Sequence, residues 1–86
     1  MTTDPDPRVR KAAIVAAGDL GGDEAAWLLA VALDDPAVRL REEAAYALGE
    51  TGGEGAIVRL RRALADEDGI VREVAAEMLV ERGVRE

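Results

Sequence analysis

The apolar positions of this chain recur at helical spacing and return in register every 31 residues. The stretch from Glu54 to Ala65 shows the local pattern, with Ile57, Leu60 and Leu64 spaced to fall along one helical face. Strand signals are missing, because no alternating run of Val, Ile, Thr or aromatic residues is bounded by turns. Laid against itself at an offset of 31 residues, the chain superposes Val9 on Leu40 and Val71, Arg10 on Arg41 and Arg72, Ala13 on Ala44 and Ala75, and Gly21 on Gly52 and Gly83. Asp4, Pro5, Gly18, Ala25, Leu29 and Leu33 likewise find Asp35, Pro36, Gly49, Ala56, Leu60 and Leu64.

Each full unit holds two helical stretches, the first opened by Asp-Pro and closed by Gly-Gly. Asp35 before Pro36 reads as an N-cap followed by a first-turn proline, and Gly52 as the residue that turns left-handed past the helix end. The pattern predicts five helices over about 6–20, 23–33, 36–51, 54–65 and 68–82. Linkers of about two to four residues force consecutive helices to lie antiparallel. One domain is expected over 1–86, with units at about 4–34 and 35–65 and a half unit at 66–86.

The segments VRKAAIVAAGDLG (Val9 to Gly21), LREEAAYALGETG (Leu40 to Gly52) and VREVAAEMLVERG (Val71 to Gly83) resemble the HEAT-like repeat of phycobilisome lyase subunits, usually VRxxAAxALGxxG. The resemblance covers nearly the whole chain. It implies an all-α fold, a short right-handed α-solenoid of HEAT-like helical hairpins with about five antiparallel helices. It further implies that the VR-bearing first, third and fifth helices line a concave side, and the second and fourth a convex one. Arg10, Arg41 and Arg72 resemble the ladder of that family, bonding to carboxylates or carbonyls of a neighbouring unit, with Asp4, Asp35 and Asp66 capping helices. For function the resemblance says less, since such repeats serve as scaffolds, adaptors, lyase subunits and a few enzymes.

Composition then narrows the chemistry. Much of the apolar content is Ala, the best helix former and small enough to let helices approach closely. A chain of 86 residues buries only about 60% of its unfolded surface, so the core is thin. With no His, Cys, Ser, Asn or Gln, the sequence lacks disulfides, thiolate and imidazole metal ligands, and Ser or Cys nucleophiles. Glu73, Glu77 and Glu81 on one helix face would make only an open, weak cation site, so neither metal nor cofactor is expected. The longest apolar stretch, Ala25 to Leu33, falls well short of a bilayer span and no basic apolar leader opens the chain, so the expectation is a soluble, cytoplasmic protein without membrane contact. A net charge of −7, with ten Arg and one Lys against 18 acidic residues, disfavours nucleic acid and anionic lipid and favours basic partners.

The variable positions of the VR motif show what the concave face would offer. Those four apart share one helical face: Lys11, Val15 and Asp19, then Glu42, Tyr46 and Glu50, then Glu73, Glu77 and Glu81. Side by side they form a patch that grows more acidic toward the C-terminus, with Tyr46 at its centre and Glu43 on its border. The functional reading is a site for a basic protein segment, with Tyr46 as an aromatic anchor beside Lys or Arg side chains. The competing reading is a solvated face that supplies solubility.

The ends carry a second expectation. Trp27 and Val31 share a face of the second helix, and Met78, Leu79, Val80 and Val84 leave the last unit with an apolar end. Solenoids need polar caps, so the apolar end predicts a homo-oligomer, by a two-fold contact or end-to-end stacking, or else a piece of a longer array; Trp27 and Val31 read equally as a subunit contact or as a surface that the N-terminal tail covers. Arg59, Arg61 and Arg62 form a small basic cluster, read first as a solvated face paired with Glu54 or Asp66 and alternatively as a contact for phosphate. Gly18 and Gly49 are read as places where the following convex helix approaches closely; Val80 stands at the matching place in the last helix. Catalysis is not expected: the His-Glu pairs of iron-dependent HEAT-like hydroxylases and the basic channel of base-excision relatives are both missing. The expected function is a non-catalytic protein-interaction or scaffold module, the alternative an accessory, lyase- or chaperone-like subunit of an enzyme.

Overall fold

The computed structural model describes residues 4–51 and 54–83. It contains α1 (Pro7–Leu20), α2 (Gly22–Ala32), α3 (Val38–Thr51), α4 (Gly55–Ala63) and α5 (Gly69–Glu81), with no strand among the described residues. The first helices of the units start at Pro7, Val38 and Gly69, so the 31-residue period of the sequence is the period of the fold.

The helix starts correct one expectation. Asp35 does not cap α3, and Asp4 and Asp66 cap nothing either, because each lies three residues ahead of its helix. Their carboxylates instead accept the backbone N–H two residues on, from Asp6, Ala37 and Asp68, each at 2.8 Å. These turns lead the chain into the helix start. Asp6 caps α1 through the Arg8 N–H at 2.9 Å, with Pro7 in the first turn, and Asp68 caps α5 through the N–H groups of Ile70 and Val71. In the middle unit Ala37 holds that place and offers only its carbonyl, to Leu40 and Arg41. At the far ends Gly21 and Gly83 take positive φ values of 70° and 84°, which favour glycine; Gly52, on which the left-handed reading fell, lies outside the described residues.

Helices α1, α3 and α5 pack side by side as one layer, and α2 and α4 form the second, each wedged against the first helices on either side of it. The core runs between the layers, and half of its buried residues are alanine, which lets the helices close on one another. Ile14, Leu29, Leu48, Leu60 and Val71 are its largest fully buried side chains. No polar side chain is buried among the described residues. This is the all-α solenoid the repeat predicts.

The recurring polar bonds between units start from the ladder arginines. Arg10 donates from Nε and Nη2 to the two Asp35 oxygens at 2.9 and 3.2 Å, while Nη1 reaches the carbonyls of Asp4 and Pro5. Arg41 repeats this with Asp66 at 3.1 Å and with the carbonyls of Asp35 and Pro36. Arg10 and Arg41 thus serve the structure, each fastened to its own unit and reaching into the next. Burial alone would raise the Asp35 carboxyl, but the Arg10 guanidinium, the Ala37 N–H and the charges of Arg10 and Arg41 outweigh it and hold the group below the usual carboxylate range.

The tight glycine is explained by a different neighbour from the one expected. A Cβ on Gly49 would overlap the Met78 side chain down to its Cβ, so the close approach belongs to α5, the next first helix, and not to α4. Gly18 faces the equivalent helix α3 more loosely, with Ala47 Cβ at 3.8 Å and Thr51 Oγ1 at 3.9 Å from the same construction.

Candidate protein-binding surface

Packing of α1, α3 and α5 in one layer sets their variable positions beside one another. Lys11, Val15 and Asp19 on α1, Tyr46 and Glu50 on α3, and Glu73, Glu77 and Glu81 on α5 are all exposed; Glu42 is half-buried, as is Glu43. Tyr46, 51% exposed, donates its hydroxyl to Glu50 Oε1 at 2.9 Å, one helical turn on. That bond and the Glu50 charge raise the phenol above its ordinary range, with smaller contributions from desolvation, from Glu81 on α5 and from Glu43. The influence of Glu81 ties the rows of α3 and α5 into one electrostatic neighbourhood.

Cations are scarce on this face. Among the described residues, Glu42, Glu43, Glu50, Glu73, Glu77 and Glu81 form no ion pair. Several arginines are occupied elsewhere: Arg10 and Arg41 in the ladder, Arg62 on Asp34 and Arg82 on the Gly49 carbonyl. Those pairings also correct the reading of the basic cluster on α4. Arg62 reaches back one unit to Asp34 at 3.1 Å, and Arg59 bonds the Gly55 carbonyl, so neither takes Glu54 or Asp66.

The residues expected to drive self-association divide. Leu79, 3% exposed, is a core residue together with Met78, 5% exposed, and neither is available at an open end. Val80 is the exposed one, at 71%, in a shallow open groove with Ala76, Glu77 and Glu81. Trp27 and Val31 are exposed on α2, and Val84 lies outside the described residues. Sequence reasoning passed over Val9, Leu20 and Ile70, which are also exposed. Their signal was available in the repeat: Val9 occupies a position that is buried in the later units.

No group of three or more His, Cys, Asp or Glu side chains is placed to hold a metal among the described residues. No helix among them is long and apolar enough to cross a membrane.

Stacked helical hairpins with a bonded inter-unit ladder and a bare face define a repeat protein of the α-solenoid class. The chain belongs to the HEAT-repeat family, whose profile matches residues 1–80. Repeats of this family generally mediate protein–protein contacts and are typically non-catalytic. A comparison with curated proteins found no match.

Proposed function

We propose that this protein is a non-catalytic interaction module that holds a basic segment of a partner protein on the face formed by α1, α3 and α5. The observation that carries the reading is the row of carboxylates from Glu42 to Glu81, without an ion pair among the described residues, set around a half-exposed tyrosine, while Arg10, Arg41, Arg62 and Arg82 bond elsewhere. Such a face attracts cationic side chains at long range, and Tyr46, its hydroxyl tied to Glu50, offers a ring of fixed orientation for a guanidinium or ammonium to stack on. Central aromatic residues of this kind carry a disproportionate share of binding energy.

The test is titration of labelled Arg- and Lys-rich peptides against the protein by fluorescence anisotropy. Reversal of Glu42 and Glu77 to Lys is expected to abolish binding, and Tyr46→Ala to weaken it about tenfold or more. Wild type and variants with indistinguishable curves would overturn the reading.

A further inference from the structure

The face formed by α1, α3 and α5 changes from one side to the other. Its row on α1, Lys11, Val15 and Asp19, sums to no net charge; the row on α3, Glu42, Tyr46 and Glu50, carries two negative charges; the row on α5, Glu73, Glu77 and Glu81, carries three. The middle place changes in step, from valine through tyrosine to glutamate. Val15 and Tyr46 are 49% and 51% exposed and neither belongs to the core, so core packing does not account for an apolar side chain at either place. Lys11, the single lysine of the chain, forms no ion pair among the described residues.

The last carboxylate of each row stands where its own helix disfavours it. Asp19, Glu50 and Glu81 lie in the last turns of α1, α3 and α5, and none of those turns contains a basic residue. A helix ends on its negative pole, so a carboxylate there destabilises the helix and attracts an outside cation more strongly than the same group in mid-helix.

Spacing sets how a partner meets the three rows. Helices packed side by side stand about 8–10 Å apart. A segment in the polyproline II conformation advances about 3.1 Å per residue with about three residues to the turn, so side chains three apart point the same way at intervals of about 9 Å. Laid across the layer, such a segment brings one side chain over each of α1, α3 and α5.

Taking the face as the binding surface proposed above, we infer that it reads the order of side chains in its partner. The segment it selects is extended and carries, in either chain direction, an apolar residue at one end, a cation three residues away and a second cation three residues beyond that. The apolar side chain rests on Val15, the first cation stacks on the Tyr46 ring beside Glu50, and the second meets Glu77 and Glu81. Lys11 enforces the order, because a cation placed over α1 meets a like charge there. A uniformly basic segment is therefore a poorer ligand than the mixed one.

The experiment compares three labelled peptides by fluorescence anisotropy, at physiological ionic strength so that attraction between charges beyond about 8 Å is screened. They are Leu-Pro-Pro-Arg-Pro-Pro-Arg, its rearrangement Arg-Pro-Pro-Leu-Pro-Pro-Arg and the all-cation Arg-Pro-Pro-Arg-Pro-Pro-Arg, with blocked ends and with prolines to hold the extended form. The first is expected to bind about tenfold more tightly than the second and more tightly than the third. Val15→Glu, at an exposed site and with helicity unchanged by circular dichroism, should reverse the preference so that the all-cation peptide binds best. Equal affinity for the first two peptides, or an unchanged preference in Val15→Glu, would overturn the inference. If the all-cation peptide binds wild type best and loses affinity with Tyr46→Ala, the order falls and the binding role of the face stands. Failure of all three peptides to bind also overturns the order, and the binding role falls with it only when the Arg- and Lys-rich peptides fail too.

Discussion

Replacing glycine by alanine at two equivalent positions should change stability in opposite directions. Both Gly18 and Gly49 lie inside helices and neither has a positive φ, so Ala gains about 0.8–1 kcal/mol from helix propensity at either site. At Gly18 the new methyl group meets Ala47 and Thr51 at 3.8 and 3.9 Å, ordinary contact distances, and the gain should be kept. At Gly49 it overlaps Met78, including the Met78 Cβ, which a side-chain rotation cannot withdraw. Helix α5 must shift, and overpacking of this kind costs about 1–3 kcal/mol, enough to reverse the sign. Gly18→Ala should therefore stabilise by about 0.5–1 kcal/mol and Gly49→Ala destabilise by about 1 kcal/mol. A spread of about 2 kcal/mol corresponds to a Tm difference on the order of 10 °C for a domain of this size. Thermal and urea unfolding followed by circular dichroism would read it. In the double variant Gly49→Ala with Met78→Ala the two losses should add to less than their sum, because the shortened side chain makes room. Equal stabilisation by both glycine replacements, or strict additivity in the double variant, would refute the assignment of Gly49 to the α3–α5 contact.

Two further outcomes follow from the ion pairs. Arg41→Ala removes a pair whose side chains are 13% and 12% exposed and strips Asp66 of its partner, so a loss of about 2–3 kcal/mol is expected in denaturant unfolding, below the range for fully buried pairs. Arg62→Ala breaks a pair that is 67% and 64% exposed and should change stability by no more than about 0.5 kcal/mol. The Asp35 carboxyl, held below its unfolded value by Arg10 and the Ala37 N–H against the cost of burial, binds its proton less readily folded than unfolded. Its contribution is fully present above the unfolded carboxylate pKa of about 3.9 and is lost as pH falls through the lower folded value, so Tm should drop steeply below about pH 4, and less steeply in Asp35→Asn.

What was legible in the sequence was whatever depends on neighbours along the chain. Glycine after a helix, proline and aspartate before one, and apolar residues at helical spacing act within a turn or two, so five helices in 31-residue units could be read before any packing was known. Boundaries were blurred for the same local reason. Both aspartates of an Asp-x-Asp sequence look like caps, and only hydrogen bonding separates Asp4 and Asp66, which fold turns, from Asp6 and Asp68, which cap helices. The exposed face could be read too, because its positions vary from unit to unit while the packed ones keep small or apolar residues.

Tertiary structure decided what each side chain meets. Met78 and Leu79 look as free as Val80 in a terminal apolar run, yet a helix turns successive residues by about 100°, so two of the three face the core and one faces outward. The ladder arginines repeat identically in sequence, but Arg10 and Arg41 find carboxylates one unit on, whereas Arg72, among the described residues, bonds its own unit's carbonyl. The sequence by itself determined the helices, their period and the acidic surface, since these rest on local spacing and composition. Which glycine is tight, which arginine is paired and which valine is bare were decided by packing, because each depends on the unit that stands next to it in space.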